Sequence, residues 1–289
     1  MSGRALRAVV AAGLLDAPRY EVIPTASVAE KVCDALPPAA TVTVTASPTK
    51  GLEATLRLAE LLAQEGYRAV PHLSARLVVD ESHLREVAAR LQEAGIEELF
   101  VPAGDAEAPA GAFADALSVL VRLRQLERPF ARVGITGYPE SHPRIGDDLT
   151  IQAMWDKRLL ADYIVSNLCL DPRVVAGWIG RVRRRGVELP LHVGLPGPVE
   201  RAKLVAVAAK IGVGESSRFI ARHLAFLARL GTPGGYSPER FIEKAAPALL
   251  APRSAVAGFH LFTFNQVAEV EAWRRALRER YLAARPLAG

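Results

Sequence analysis

Short apolar runs alternate with longer amphipathic segments along nearly the whole chain of 289 residues. This rhythm constrains the fold, because a short run can form a buried strand and each longer segment a helix that covers it. Within the short runs the apolar residues are almost continuous, which is typical of parallel strands covered on both faces. Eight strands are predicted, at Tyr20–Pro24, Thr41–Thr45, Arg68–Leu73, Glu98–Pro102, Arg132–Thr136, Tyr163–Leu168, Pro190–Gly194 and Gly258–Phe264.

The segments between these strands carry helix signals. Gly51–Glu65 places its apolar residues on one helical face. Ser82 is a candidate cap for a helix that ends at Gly95, and Asp171 and Ser237 are caps followed by proline at the first helical position. A last helix is predicted from about Gln266 to Leu282.

Eight strand–helix units in a chain of this length predict an α/β fold, a (β/α)8 TIM barrel, as a single domain over residues 1–289. A doubly wound open sheet is the alternative, but no G-x-G-x-x-G turn follows the first strand. The interval between strands 7 and 8 is long, and extra helical segments are expected there at about Val199–Ile211, Arg218–Leu230 and Pro238–Leu249.

Composition excludes several classes of protein. Half of the residues are apolar and 23% are charged, so the chain can build a core and is not globally disordered. The net charge is +5, but the densest basic cluster, Arg181–Arg185, precedes Gly186 and has the character of a helix end. No aromatic residues interleave with it, so nucleic acid is not an expected partner.

Compartment and metal content follow from further absences in the sequence. No apolar run is long enough to cross a membrane, and Met1–Leu15 lacks a convincing signal-peptide cleavage site, so a cytoplasmic protein is expected. Cys33 and Cys169 cannot form a disulfide framework, and the histidines and acids lack metal-site spacing, so no metal is predicted. The oligomeric state stays open, because no heptad seam is present.

Polar residues collect where the predicted strands end, which is where barrel active sites form. Glu21 lies inside an apolar strand, either as a structural ion pair with an arginine or lysine or as a carboxyl whose pKa is raised for proton transfer. His72 is a core histidine or a ligand contact, and Asp105 is a helix cap or a site residue. Asn167 follows the sixth strand and can bind backbone or ligand.

Taken together, these strand ends resemble the methylenetetrahydrofolate reductase family, in the family's own segment order. The resemblance rests on Tyr20–Pro24 (family F-E-F-F-P), Pro71–Ser74 (P-H-L-T), Gly95-Ile96 with Gly104-Asp105 (G-I … R-G-D), Gly137–Pro143 (A-Y-P-E-x-H-P) and His260–Asn265 (H-F-Y-T-L-N). The resemblance implies a (β/α)8 barrel that passes a hydride from NAD(P)H, through FAD, to 5,10-methylenetetrahydrofolate. It implies a folate and a nicotinamide nucleotide as the small-molecule partners.

The resemblance also assigns roles to individual residues. Glu21 would be the general acid that protonates the folate, and Asp105 would stabilise the cation formed when the folate ring opens. The substrate would contact Asn167 and Gln266. The expected cofactor-binding residues are Thr45, His72, Gly104, Tyr138, His142 and Lys157.

The chain departs from the family pattern where the family holds FAD. Ala103 replaces the arginine before Gly-Asp, and Thr150, Ala153 and Asp156 stand where the family has Asp, Asn and Arg. An alanine cannot replace a phosphate-binding cation, and an aspartate repels phosphate. Hydride transfer through FAD and direct transfer from NAD(P)H are therefore both open.

The leading hypothesis is a divergent reductase of 5,10-methylenetetrahydrofolate that uses NAD(P)H and keeps Glu21 and Asp105. One alternative is a related tetrahydrofolate enzyme of one-carbon catabolism. Another is a folate-binding barrel that has lost the reaction, although a binding module needs no buried proton donor.

Overall fold

The computed structural model describes residues 10–46, 50–126, 129–140, 147–198 and 236–283. Within them parallel strands alternate with helices. The strands are β1 (Arg19–Val22), β2 (Thr41–Val44), β3 (Arg68–Pro71), β4 (Glu98–Val101), β5 (Arg132–Gly137), β6 (Tyr163–Ser166), β7 (Leu191–Pro196) and β8 (Val256–Phe262). The helices are α1 (Val28–Ala35), α2 (Glu53–Gln64), α3 (Glu81–Glu93), α4 (Ala116–Gln125), α5 (Asp147–Lys157), α6 (Pro172–Arg184), α7 (Pro238–Leu249) and α8 (Val267–Ala283), with a 3₁₀ turn at Ala75–Leu77.

The eight strands form one sheet in the order β3-β2-β1-β8-β7-β6-β5-β4. A parallel bridge between His72 and Phe100 joins the two ends of this order, and the Leu73 N–H donates to the Phe100 carbonyl at 2.8 Å. The sheet therefore closes nearly completely, and the predicted (β/α)8 barrel is confirmed. Each of the eight predicted strands is present, with ends that differ by up to two residues.

Helix capping confirms two of the predicted starts and corrects a third. Asp171 and Ser237 accept backbone N–H groups at the starts of α6 and α7. The prediction of Ser82 as the cap of α3 was wrong, because Asp80 accepts from the His83 N–H at 2.8 Å and the helix begins at Glu81. Asp and Ser are equally good caps, so the sequence alone did not choose between them.

The interval between β7 and β8 contains one predicted helix that the structure describes, α7. The helices expected at Val199–Ile211 and Arg218–Leu230 lie outside the described residues. The basic cluster forms the last turn of α6, as predicted, and Arg183 there donates to the carbonyls of Ser254 and Val187. In the described part of the chain, every helix is too short or too polar to cross a membrane.

Charged side chains occupy one end of the barrel interior. Arg19, Glu98, Arg132 and Tyr163 are the first residues of their strands, so they lie at the amino-terminal end. Arg19 is 3% exposed, and its guanidinium lies 2.7 Å from Glu98, donates to the Tyr163 hydroxyl at 2.9 Å and stacks on that ring. Gly134 leaves room for the ring, since a Cβ there would come within 2.2 Å of it. Glu98 is thus the carboxylate that compensates a buried guanidinium.

Glu98→Gln should lower the free energy of unfolding by about 3 kcal/mol, because it leaves Arg19 buried without its counter-charge. Asp16→Asn is the matched control: Asp16 pairs with Arg278 at the surface, and its loss should cost less than about 1 kcal/mol. Urea unfolding at pH 7 measures both. Equal effects of the two substitutions would contradict a stabilising role for the interior pair.

Candidate active site

Glu21 is the third residue of β1, and its side chain points into the barrel, where it is 17% exposed. Its Oε2 atom lies 2.9 Å from Nε2 of His260 on β8 and 4.0 Å from Nε2 of His72, which follows β3. The Thr263 hydroxyl donates to the Glu21 carbonyl at 2.6 Å and fixes the strand beneath the side chain. Three strands thus place one carboxyl between two imidazoles.

Burial controls the protonation of this cluster. It raises the pKa of Glu21 to about 7, and the neighbouring His72 opposes the increase. Burial also lowers the pKa of His72 to about 4 and that of His260 to about 3, the latter with help from the Arg19 charge. Near pH 7 both imidazoles are neutral, while Glu21 is divided between its acid and its carboxylate.

The contacts of Glu21 distinguish the two interpretations that the sequence leaves open. In the described part of the chain, no arginine or lysine forms an ion pair with Glu21. The titratable side chains that contact its carboxyl are the two histidines. The geometry therefore favours a carboxyl with a raised pKa over a structural ion pair. A carboxyl of this kind can give a proton at neutral pH.

His72 combines the predicted core packing with a contact to the candidate acid. Its ring packs on Phe100 at 4.7 Å between centroids, and its backbone forms the bridge that closes the barrel. Its Nε2 atom nevertheless faces Glu21. In the described structure, His72 is thus a neighbour of the candidate acid.

A second group of predicted residues lies at the ends of β4 and β5. Asp105 is exposed and is not a helix cap, since Asp115 caps the following helix α4. Gly104 has a φ of 95°, and a Cβ there would lie 1.8 Å from the Ser74 hydroxyl oxygen, so the position requires glycine. Burial and the charge of Asp105 raise the pKa of Tyr138 to about 12, which places these two side chains within electrostatic reach of each other.

The remaining predicted residues are dispersed. Thr45 is half-buried, and its carbonyl accepts from Thr55. Asn167 is exposed at the end of β6, and its side chain accepts from the Leu168 N–H at 2.8 Å. Gln266 is 6% exposed at the start of α8, where its carbonyl accepts from the Val270 N–H, and His142 lies outside the described residues.

Sequence reasoning assigned no role to three residues around Glu21. His260 and Asn265 belong to the last motif of the family resemblance, and Arg19 lies directly before the first predicted strand. Asn265 has a φ of 60° and bonds through its side chain to both the N–H and the carbonyl of Ile23, which joins the ends of β1 and β8. The available signal was a histidine inside one predicted apolar strand and an arginine directly before another, since an unpaired polar group is costly in the barrel interior.

The segment expected to hold the FAD phosphates lacks the charge for that task. Lys157 is the one basic residue of α5, and burial lowers its pKa while Asp115 and Asp156 oppose the decrease. Asp156 accepts a hydrogen bond from Gln152 at 2.7 Å, and Thr150 is buried. Within the helix itself, one cation beside two carboxylates does not form a diphosphate site. Arg158, just after the helix, stacks on Trp155, and Arg185 donates to Gln152, so both of these cations already have partners. The described residues therefore do not fit an FAD diphosphate at this place.

Metal chemistry has no candidate ligands in the same part of the molecule. Over the described ranges, no group of three or more histidine, cysteine or acidic side chains is arranged to hold a metal ion.

Solved structures similar to this chain support the fold. A family 18 chitinase from Pseudoalteromonas aurantia aligns with a TM-score of 0.51 at 10% identity, over 90% of this chain and 98% of that one. An oxaloacetate acetylhydrolase aligns with a TM-score of 0.51 at 12% identity, over 95% of this chain and 85% of that one. At such identities the likeness concerns the barrel and not the reaction.

The closed parallel barrel with polar groups at its carboxyl-terminal mouth defines the class, a (β/α)8 barrel of the kind that carries enzyme active sites. Residues 24–272 match the methylenetetrahydrofolate reductase family. The chain belongs to this family. Membership supports an oxidoreductase that acts on a folate one-carbon group, in a family that generally uses flavin with NAD(P)H as the reductant.

The free energy of unfolding of Glu21→Gln, relative to that of the wild type, should increase as the pH rises. Between about pH 4.5 and 7 the folded wild type keeps the Glu21 proton that the unfolded chain has released, so its stability falls as the pH passes through the folded pKa. The variant has no such proton. Its stability minus that of the wild type should grow by up to about 3 kcal/mol between pH 4.5 and 8.

Urea unfolding at several pH values measures this difference. His72 and His260 are present in both chains, so their own titration contributes similarly to each curve. A difference that does not change with pH would mean that the pKa of Glu21 is ordinary.

Proposed function

We propose that the chain reduces 5,10-methylenetetrahydrofolate to 5-methyltetrahydrofolate with a hydride from NAD(P)H, and that Glu21 is the general acid. The observation that carries the proposal is a carboxyl whose pKa is raised to about 7, placed between neutral histidines near the barrel mouth. Family membership supplies the substrate class.

The acid has a defined task in this reaction. Protonation of N10 breaks its bond to the methylene carbon, and the five-membered ring opens to an iminium cation on N5. Glu21 supplies that proton and becomes a carboxylate. A general acid works best when its pKa lies near the operating pH, which is the condition that burial creates here.

Asp105 is proposed to stabilise the cation. It is exposed in the segment after β4, and its charge acts on Tyr138. Once a bound folate displaces water from the mouth, a fixed negative charge there would stabilise a developing positive one more than it does in bulk solvent. The hydride then adds to the iminium carbon and gives the 5-methyl product.

The hydride donor in this proposal is the nicotinamide itself. The described residues around α5 do not fit an FAD diphosphate, so no step is assigned to flavin. Direct transfer needs the nicotinamide carbon close to the iminium carbon in a suitable orientation, which is a task of positioning. The positive net charge of the chain, +5, favours an anionic dinucleotide and folate as partners.

Glu21→Gln should reduce turnover by roughly 100- to 10,000-fold, because the amide cannot donate the proton that opens the ring. Folate binding should change by less than about threefold, since the shape of the side chain is kept. NAD(P)H oxidation with methylenetetrahydrofolate measures the first effect, and equilibrium binding the second. Glu97→Gln, at the opposite end of the barrel, is the control. A Glu21→Gln variant with wild-type turnover would refute the acid assignment.

Purified protein should oxidise NAD(P)H with methylenetetrahydrofolate at the same rate with and without added FAD, and should show no flavin absorption. The physical reason is the absence of a cationic diphosphate site among the described residues. Activity that appears only after FAD is added would contradict direct hydride transfer, but it would still support reduction of the folate by this chain. Tight folate binding with no nicotinamide oxidation would favour the folate-binding alternative.

A further inference from the structure

The two oxygens of the Glu21 carboxyl have different surroundings. Both histidines contact Oε2, at 2.9 Å and 4.0 Å. In the described part of the chain, Oε1 has no hydrogen-bond partner, and the side chain keeps 17% exposure. Oε1 is therefore the oxygen available to a substrate.

His260 is fixed more firmly than the carboxyl that it contacts. It is 1% exposed in the middle of β8, and its ring packs edge-on against Phe262 at 5.0 Å between centroids. The pairing of Glu21 with Phe262 and of Arg19 with His260 sets β8 beside β1. The imidazole thus has little freedom to follow a carboxyl that moves.

We propose that His260 is a positioning residue, which donates from Nε2 to Oε2 of Glu21 and thereby keeps the transferable proton on Oε1, facing the folate. This inference rests on the proposed function. It goes beyond it because it assigns the geometry of the proton donor to a residue on another strand.

The direction of the hydrogen bond follows from which nitrogen of the His260 ring carries the proton. A neutral imidazole has one donor and one acceptor nitrogen. Nδ1 of His260 is buried without a partner among the described residues, and a buried unpaired N–H is rarer than an unpaired acceptor. The proton of the neutral ring is therefore assigned to Nε2. Since Oε2 accepts a hydrogen bond from this N–H, the acid proton of Glu21 is assigned to Oε1.

Neutrality of His260 is a condition for this arrangement. The titratable and charged groups around it are Glu21 and Arg19 on β1, His72 after β3 and His192 on β7. A protonated His260 would pair with the carboxylate and draw the proton away from the acid. Burial and the Arg19 charge below both lower the pKa of His260, which keeps the ring neutral at physiological pH.

Three variants test the proposal. His260→Leu removes the donor and should lower kcat at least tenfold, with the KM for folate changed less than twofold. His260→Gln keeps an N–H near the position of Nε2 and should retain most of kcat. The control is His192→Leu. His192 is similarly buried on β7 and lies near His260, but its ring contacts Tyr163 and makes no contact with Glu21 in the described structure, so kcat of this variant should stay within twofold of the wild type.

A spectroscopic readout separates positioning from general damage. The infrared C=O band of protonated Glu21 is identified by its absence in Glu21→Gln and is titrated with pH. In His260→Leu the band should shift, and its midpoint should move to higher pH, because the carboxylate loses a donor. In His260→Gln and His192→Leu the band should match the wild type.

The outcomes are distinct. Lower kcat with a shifted band in His260→Leu, and neither change in His192→Leu, supports the proposal. An unshifted band, or equal losses of kcat in both leucine variants, overturns it. If the wild type reduces no folate, the proposed function fails, and the infrared titration still decides whether His260 holds Glu21.

Discussion

The loss of water around the Glu21 carboxyl is the constraint on which the site depends. A carboxylate inside a barrel has little solvent to stabilise its charge, and no arginine or lysine of the described chain pairs with it. Its contacts are two neutral rings, of which His260 forms a hydrogen bond without adding a positive charge. The acid form is therefore retained up to about neutral pH, which an exposed glutamate could not achieve.

The barrel separates its charges along the strands. Arg19 is two residues before Glu21, so both side chains point inward, yet the guanidinium contacts Glu98 and the Tyr163 ring at the amino-terminal end. If Arg19 paired with Glu21, the pKa of that carboxyl would decrease and the acid would be lost. Glu98 and Tyr163 hold the cation away from it. The barrel interior thus contains both a structural ion pair, at its amino-terminal end, and the proposed proton donor, farther along the same strand.

The sequence predicted the fold and Glu21 better than it predicted the contacts of Glu21. Buried strands and the isolated carboxyl are local features, so they can be read from consecutive residues. The contact with His260 spans 239 positions and exists because β8 closes against β1. That neighbour relation belongs to the closed barrel and not to any segment. The error at Ser82 was of another kind, since Asp80 offered an equally good cap close by.

Strand order also explains how one half of the site can change while the other is kept. Glu21, His260 and Asn265 are on or beside β1 and β8, which are neighbours in the sheet. The segment with altered charges, α5, follows β5, on the side of the barrel formed by β4, β5 and β6. Substitutions in α5 therefore change the charge on that side of the barrel without moving the residues that contact Glu21. Under the proposed function, a family member can in this way keep the proton chemistry of the folate while the group that delivers the hydride is replaced.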